Sequence, residues 1–514
     1  MTQSIAEKNP IYWYYGSASV AFGIKNNAFS YLLLIYSTQV LGIPGYLAAA
    51  ALFIAMIWDA VSDLFLGHWS DKTNSRLGRR HPFMYVGMIL LPLSFYALFN
   101  PVIDLNEDNR WYYLLAAAIL IRTAVTLVEV PSVALLPDLV KDYDERNKWL
   151  ALRHAFGWYG GNGIHVVNMG IWVGAFGVAT QAGYAIYGLA GALIIGGSTL
   201  ISSLGTQKVA SALPPPIERF KFSEIWHEIK QIAQSLKNPN FMWLFIYSLV
   251  VGGAAGMSTA LYLYNVTYFF AFDGPQIAFT GLCVFASPAI AYWLGPKLGT
   301  KIGKKWTAIS ALFAAIFLYP IPYILKLSGY WPDAEVALLP FIRGELSLTI
   351  DLIIYSLFVT AEVVGFIIGG VMLDSMMADI VEDSEVKTSR RSEGLFYAAR
   401  SFAGKFVSAF GIVLAGSIVS LVGMDGIKTV TDMTDDMRLD LASFFLPLYC
   451  GLYFLAMYFI SKYRIDREAH NANLESLSAR SQKAREADRV SIGGHGVTDL
   501  SSGGGGSGGD SGGI

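Results

Sequence analysis

Two acidic residues, Asp59 and Asp63, lie one helical turn apart inside an apolar stretch, in the sequence Trp58-Asp-Ala-Val-Ser-Asp63. A helix would place both carboxyl groups on one face, with the hydroxyl group of Ser62 beside them. Two ionised carboxylates at this spacing repel each other, so we predict that one is protonated or that a cation lies between them. The pair therefore indicates an ion-coupling site.

The ligand chemistry of this pair leaves two coupling ions open. Oxygen ligands suit a hard cation such as Na+, for which Asp59 and Asp63 are the candidate ligands, and a shared proton suits the same residues. A simpler interpretation is that Asp63 approaches the end of its helix, where it caps the helix or pairs with arginines of the next loop. The rarity of buried acids favours the ion-coupling interpretation.

A second apolar stretch offers further oxygen ligands. Thr126 and Glu129 are three residues apart and share one helical face immediately before Pro131. We expect the Thr126 hydroxyl to complete the cation site, and Glu129 to serve either the cation or a polar solute. Arg122, one turn earlier, is expected only to neutralise an acid.

Lysine and asparagine near the middle of another apolar stretch indicate an internal aqueous cavity. Ionisable groups at the centre of a bilayer cost roughly 2.5 to 3.5 kcal/mol each on insertion scales. Lys25 and the neighbouring Asn26 should therefore face water inside the protein and not lipid.

Three further charges lie in or beside apolar stretches. Arg153 is either a site residue or a charge at the membrane boundary, whereas Lys405 lies deeper in its stretch and should be internal. Glu362 is either a site residue or a structural partner of Lys405 or Arg400. All three are candidates for binding a polar solute.

The composition explains why such residues stand out. Of the 514 residues, 54% are hydrophobic and only 15% are charged, which predicts an all-α polytopic protein embedded in a lipid bilayer. The net charge of -2 argues against a nucleic-acid partner. The two cysteines offer neither a disulfide framework nor a metal cluster. The N-terminus lacks the features of a cleaved secretory signal, so we expect nothing to be removed.

Sequence motifs for enzyme chemistry are incomplete. The segment His227-Glu228-Ile-Lys-Gln231 lacks the second histidine of a zinc protease site, and a Gly-x-Ser-x-Gly pattern occurs only in the glycine-rich tail. We therefore predict that the protein is not an enzyme and needs no cofactor apart from a coupling cation.

Twelve apolar stretches are long enough to cross a bilayer as helices of about 20 residues. They are centred near residues 26, 56, 91, 124, 165, 193, 255, 287, 316, 361, 408 and 452. Lysine and arginine are concentrated in alternate loops, which predicts that both termini are cytoplasmic.

The stretches divide into two sets of six. We predict bundles at 1-206 and 241-464, a cytoplasmic linker at 207-240 and a flexible cytoplasmic tail at 465-514. A weak repeat supports two pseudo-symmetric six-helix bundles. The segment Asp138-Leu-Val-Lys-Asp142 resembles Asp379-Ile-Val-Glu-Asp383, and Gly78-Arg79-Arg80 resembles Gly303-Lys304-Lys305.

The segment 58–82, which contains the paired acids and the loop Gly67-His-Trp-Ser-Asp71-Lys-Thr-Asn-Ser-Arg76-Leu-Gly78-Arg79-Arg80-His-Pro82, resembles one family. It is similar to the second span and following loop of the glycoside-pentoside-hexuronide:cation symporters, a major facilitator branch typified by melibiose permease. The segments 137–153 and 379–405 resemble the other two signature loops of that family. The resemblance implies the major facilitator fold with twelve transmembrane helices.

The resemblance also implies roles for individual residues. Those that match the cation-site positions are Asp59, Ser62, Asp63 and Thr126, where Ser62 replaces a common asparagine. Those that match positions shaping or contacting the sugar site are Lys25, Glu129, Arg153 and Lys405. Asn26 and Val133 stand where the galactoside carriers have an aspartate and a tryptophan, so galactoside specificity is not implied.

The expected function is Na+- or H+-coupled symport of a sugar-like solute by alternating access in the plasma (inner) membrane, by a monomer. The alternatives are a cation-coupled carrier of an amphiphile such as a lysolipid, and a non-transporting membrane sensor. A cytoplasmic latch that closes in the outward-facing state is expected at Asp71, Arg76, Arg79, Arg80, Asp138, Asp379 and Arg391.

Overall fold

The computed structural model describes residues 10–140, 142–211, 230, 236–332, 334–341, 345–388 and 393–494. Within these ranges, the side chains of 143–144, 388, 393–403, 405–406, 480–481 and 483–494 lie outside the description. Everything below refers to the described part of the chain.

The first half consists of long helices joined by short loops. They are α1 (Pro10–Asn27), α2 (Gly45–Asp71), α3 (His81–Phe99), α4 (Arg110–Ala134), α5 (Tyr143–Ile171) and α6 (Gln181–Ala210). Between α1 and α2 the chain stays helical through Ala28–Leu32, Leu33–Ile35 and Tyr36–Val40, of which the first and third are π-helical. Short helices occur at Leu136–Leu139 and Val173–Phe176.

The second half has the same character. Its helices are α7 (Pro239–Tyr264), α8 (Gly274–Val284), α9 (Ser287–Ile302), α10 (Lys304–Leu318), α11 (Ile350–Thr388), α12 (Glu393–Val422) and α13 (Asp435–Ser461), followed by α14 (Arg467–Gly494). A π-helical segment at Asn265–Phe269, a short helix at Pro320–Leu327 and a 3-10 turn at Val430–Asp432 complete it.

Nine helical segments of the described chain are long and apolar enough to cross a membrane. The other three predicted spans coincide with α1, α5 and α12. Polar residues such as Lys25 and Arg153 lower the hydropathy of α1 and α5, and the apolar stretch found in α12 is short, Val407–Val422. The helical membrane fold is confirmed, while the number of twelve spans and the side on which the termini lie stay predictions.

A two-stranded antiparallel hairpin departs from the predicted all-α structure. Strands β1 (Glu335–Pro340) and β2 (Glu345–Thr349) pair between the Pro320–Leu327 helix and α11. The side-chain amide of Gln276, in the first turn of α8, donates a hydrogen bond to the Ser347 carbonyl at 3.0 Å. The hairpin thus lies against the start of α8.

The two halves share details of backbone geometry that support the predicted repeat. The first span and α7 both end in a π-helical segment, Tyr36–Val40 and Asn265–Phe269, and each is followed by a left-handed residue, Gly42 with φ 67° and Ala271 with φ 64°. Gly78 and Gly303, at the matching basic triplets, have φ values of 90° and 85°. Both correspondences join equivalent positions of the two halves.

Close backbone contacts join the halves at the ends of the helices that are remote from the loop 72–80. A Cβ atom on Gly45 of α2 would lie 2.6 Å from the Gly416 carbonyl oxygen of α12, and a Cβ atom on Gly274 of α8 would lie 2.7 Å from the Gly174 Cα. The Gln39 side chain donates to the Met424 carbonyl at 2.9 Å. Small residues at these positions allow the halves to pack backbone to backbone.

Candidate functional site

Helices α2 and α4 bring together the predicted oxygen ligands. The hydroxyl oxygens of Ser62 and Thr126 lie 3.3 Å apart, and both residues are buried. Ser62 donates to the Asp59 carbonyl at 3.1 Å, and Thr126 donates to the Arg122 carbonyl at 2.9 Å. Asp59 is only 2% exposed. Three of the four predicted cation-site residues therefore lie side by side in a buried setting.

The fourth residue, Asp63, lies one turn further along α2 and is half-buried. It interacts electrostatically with Arg122, as do Asp59 and Glu129. Carboxylate and hydroxyl oxygens are the donors that a hard monovalent cation prefers, so the donor set fits Na+.

Arg122 takes a position inside this site that the sequence did not specify. Its Nη1 lies 3.5 Å from the Asp59 Oδ2, and its guanidinium carbon lies 4.0 Å from the centre of the Phe29 ring. The expected neutralisation of an acid is therefore present, and the acid is Asp59.

Lys25 of α1 and Glu129 of α4 form an ion pair in the same half. Lys25 Nζ lies 3.7 Å from Glu129 Oε2, with side-chain exposures of 5% and 35%. Because Thr126 and Glu129 are on consecutive turns of α4, the ion pair lies next to the oxygen ligands. Asn26, beside Lys25 in the chain, is exposed in the absence of a bilayer.

Arg153 is buried and lies within the protein. Its Nη1 donates to the Ser132 hydroxyl at 2.8 Å, and its guanidinium carbon lies 5.3 Å and 5.2 Å from the ring centres of Tyr15 and Phe22. These contacts join α5 to α1 and α4 and do not fit a charge that merely marks the membrane boundary.

Glu362 lies in the second half, where it accepts a hydrogen bond from the Tyr449 hydroxyl at 3.1 Å. It lines a cavity of about 190 Å³ together with Tyr247, Ser248 and Tyr453. The predicted partners of Glu362, the side chains of Lys405 and Arg400, lie outside the described residues.

The predicted latch residues form ion pairs within each half. Arg79 Nη2 lies 2.8 Å from Asp138 Oδ2, and Arg80 pairs with Asp138 and, at 2.8 Å, with Asp71. The equivalent pair of the second half is Lys304 with Asp379, at 2.6 Å. Arg76 is exposed, and Arg391 lies outside the described residues.

A histidine that the sequence analysis did not single out joins this group. His470 Nδ1 of α14 lies 3.2 Å from Asp379 Oδ1 and 3.0 Å from Glu382 Oε2 of α11. The three ligand atoms lie within 4.8 Å of one another, a spacing that a metal ion could bridge, but Lys304 already neutralises Asp379. Burial, followed by the charge of Asp379, raises the pKa of the nearby Tyr463.

Aromatic side chains meet where the halves face each other. The rings of Tyr31 and Tyr262 lie 5.6 Å apart, and His165 lies 5.5 Å and 6.0 Å from them. The Tyr262 hydroxyl is 2.8 Å from that of Thr280. No spacing signal in the sequence links these residues, because they come from four different helical segments.

Comparison with known proteins identifies the family. The model of the family described as MFS/sugar transport protein matches residues 14–467, which is most of the chain. The chain belongs to this family. The fold class and the family predicted from the signature loops are thereby confirmed, and this MFS/sugar transport protein is a multi-pass membrane transporter and not an enzyme.

Individual relatives share less than a quarter of their aligned residues with this chain. An uncharacterized symporter of Synechocystis sp. is 24% identical, and the alignment covers 80% of this chain and 85% of the relative. A putative glycoside/cation symporter of Escherichia coli K12 is 22% identical over 93% and 96% of the two chains. A solved structure of a D-xylose-proton symporter has a TM-score of 0.55, with 13% identity over 89% and 98% of the two chains, and shows the same fold.

Proposed function

We propose that this chain is a cation-coupled symporter that carries a sugar or glycoside-like solute by alternating access across the plasma (inner) membrane. The observation that carries the proposal is the pair of buried hydroxyls of Ser62 and Thr126, 3.3 Å apart beside the buried Asp59. A carboxyl group buried inside a membrane protein is costly, which favours a functional role for Asp59. The name of the putative glycoside/cation symporter points to the same class of solute and ion.

Helix α4 provides a direct link between ion and solute. Thr126 faces the cation ligands, and Glu129, one turn later, pairs with Lys25. A cation that orders this part of α4 therefore also orders the acid and the base available to a polar solute. Because binding equilibria are linked, the solute must strengthen cation binding by the same factor by which the cation strengthens solute binding.

The kind of solute is inferred from the ion pair of Lys25 with Glu129 and from the other polar side chains proposed to bind it. A solute rich in hydroxyl groups can accept from Lys25 and donate to Glu129, and Glu362 with its neighbouring tyrosines offers similar groups in the second half. We propose that Asn26, Arg153 and Lys405 also contact the solute. The cavity beside Glu362 also has apolar walls, among them Leu312 and Phe366. The sugar-like solute is therefore favoured by the name of the putative glycoside/cation symporter and by the polar side chains of Lys25, Glu129 and Glu362.

Alternating access would proceed by rocking of the halves about this region. The halves contact each other at Gly45 and Gly416, so this end is closed in the described conformation. We propose that Asp71, Arg76, Arg79, Arg80, Asp138, Asp379 and Arg391 form the latch that closes the opposite end. The pairs of Arg79 with Asp138 and of Lys304 with Asp379 keep the described charges at the ends of the helices that would meet.

Uptake into proteoliposomes tests the function. Sugars, uronates and lysolipids are first screened for thermal stabilisation of the purified protein, with and without NaCl, because a ligand of the native state raises its stability. A stabilising sugar should then accumulate under an inward Na+ or H+ gradient. Stabilisation by lysolipids alone would favour the amphiphile carrier, and binding without counterflow of labelled solute would favour the sensor. A monomer should suffice for uptake.

A further inference from the structure

Arg122 lies where the coupling cation would bind. It is 5% exposed, on the face of α4 that also carries Thr126, and its nearest carboxylate is Asp59. A guanidinium is positively charged at every physiological pH, so it satisfies Asp59 in the same way as a bound monovalent cation would.

The contact between Arg122 and Asp59 is long, as expected if a cation can displace the guanidinium. Arginine held permanently by a carboxylate usually makes two parallel hydrogen bonds at about 2.7 to 2.9 Å. Arg79 approaches Asp138 this closely, with its Nη2 donating to both carboxylate oxygens at 2.9 and 2.8 Å. Arg122 instead makes a single contact of 3.5 Å with Asp59.

The Arg122 guanidinium has a second favourable contact, with the aromatic ring of Phe29. The ring of Phe29 lies 4.0 Å below the Arg122 guanidinium, and it belongs to the π-helical segment Ala28–Leu32 that follows α1. A cation over an aromatic face keeps a favourable interaction when its carboxylate contact is lost. Arg122 can therefore leave Asp59 without losing all of its stabilisation.

We propose that Arg122 is a tethered competitor of the coupling cation, which must displace the guanidinium from Asp59 in order to bind, so that Arg122 sets the affinity for sodium. This inference rests on the proposed cation site between α2 and α4. Opposite charges within 4 to 6 Å change binding equilibria by about one to three powers of ten. Removal of the guanidinium charge should therefore strengthen Na+ binding at least about tenfold.

Thermal unfolding of the purified protein in NaCl, with choline chloride keeping the ionic strength constant, measures this affinity. The wild type is compared with Arg122→Gln, Arg122→Lys and Arg110→Gln. Arg122→Gln should reach half of its stabilisation at a Na+ concentration at least about tenfold lower. Arg122→Lys, which retains the charge, should stay near the wild-type value. Arg110→Gln removes an arginine from the first turn of α4, far from the site, and should not change it.

Phe29→Leu provides a test that keeps every charge in place. If Arg122→Gln does not fold, because removal of one member of a buried ion pair destabilises the protein, Phe29→Leu still alters the guanidinium. Loss of the ring removes the cation–π contact, so the guanidinium should contact Asp59 for a larger fraction of the time. Na+ should then bind about two- to fivefold more weakly.

The outcomes separate this inference from the proposed function. A wild type that binds Na+ and an Arg122→Gln variant with equal or weaker affinity would overturn the inference and leave the symporter intact. Unchanged Na+ affinity in Phe29→Leu would overturn it as well. If neither the wild type nor Arg122→Gln responds to Na+, both the inference and the sodium form of the proposed function are wrong.

Discussion

At the scale of single residues, the hydroxyl groups of Ser62 and Thr126 distinguish two interpretations of Asp59 and Asp63. The acids either belong to an ion site or are charges at a helix end. An acid at a helix end needs no hydroxyl from a neighbouring helix. Here α2 and α4 each contribute one, within 3.3 Å of each other. The hydroxyls therefore provide the most selective test of the ligand set.

Replacement of Ser62 by alanine should weaken cation binding by roughly tenfold, since one oxygen ligand is lost while the fold is retained. Ser94→Ala is the matched control, because Ser94 is also buried and donates to the carbonyl three residues earlier, Leu91, at 3.0 Å. Cation-dependent thermal stabilisation measures both variants. Equal cation affinity in Ser62→Ala and Ser94→Ala would remove Ser62 from the site.

Asp432 leads to a prediction about pH. The backbone amides of Thr429 and Lys428 donate to its carboxylate at 2.7 and 2.9 Å, and these hydrogen bonds lower the pKa of Asp432. A carboxyl whose pKa is lower in the folded state stabilises the protein above its unfolded pKa, and this contribution is lost as the pH falls through the folded value.

The Asp432→Asn variant should therefore unfold at a lower temperature than the wild type at pH 7. The difference should shrink as the pH falls below about 4, where the carboxyl of the unfolded chain becomes protonated. Thermal unfolding at a series of pH values measures it. A constant difference from pH 7 to pH 3 would contradict the role of the ionised carboxyl.

Helical periodicity was sufficient to place Asp59 beside Ser62 on α2, and Thr126 beside Glu129 on α4. The joint cation site of the two helices was implied by the family resemblance and not by periodicity. The placement of Arg122 over Phe29 could not be predicted, because it depends on a π-helical segment after α1 that no sequence signal marks. The burial of Arg153 depends equally on residues of α1 and α4.

At the scale of elements, the left-handed residue after each π-helical segment has a measurable cost. Gly42 adopts this conformation freely, whereas Ala271 at φ 64° carries the penalty of a side chain. Ala271→Gly should stabilise the protein by about 1 kcal/mol, and Gly42→Ala should destabilise it by about as much. Chemical or thermal unfolding measures both, and a destabilised Ala271→Gly variant would show that Ala271 contributes more through packing.

The close approach of α2 and α12 predicts how the halves can be separated. A side chain at Gly416 would collide with the Gly45 carbonyl and the Ala49 methyl group, so Gly416→Val should favour opening of this end. Spin labels at the exposed Val102 and Tyr330, one in each half, should move apart in a distance measurement.

The control for this substitution is Gly451→Val, since a side chain at Gly451 would meet open space. The distance between the labels should stay at its wild-type value in this variant. If Gly416→Val also leaves the distance unchanged, the contact between α2 and α12 does not hold this end closed.

The helices themselves were largely predictable, because each of the twelve apolar stretches lies on helical structure. The stretch near residue 287 is divided between α8 and α9. The hairpin of β1 and β2 was not predicted. Its strands have only six and five residues, and their apolar residues resemble those of the adjoining helices. The polar residues of α1 and α5 that we propose to contact the solute also make these helices weak candidates for membrane spans by hydropathy alone.

At the scale of the whole molecule, the two halves have matching ion pairs at equivalent positions but differ in the side chains proposed to bind the cation. Arg79 with Asp138 and Lys304 with Asp379 are matching pairs, whereas the proposed cation ligands all lie in the first half. The internal repeat could be read from the sequence because the motif residues recur in order. The contact between the halves could not, because the glycines that form it have no distinguishing pattern.

Accumulation of labelled sugar in proteoliposomes under an inward cation gradient, in the wild type and in Asp59→Asn, tests the central claim most directly. The wild type should concentrate the sugar. Asp59→Asn should remain folded and fail to concentrate it, because the buried carboxylate that binds the coupling ion is gone. Accumulation in Asp59→Asn at the wild-type level would contradict the account.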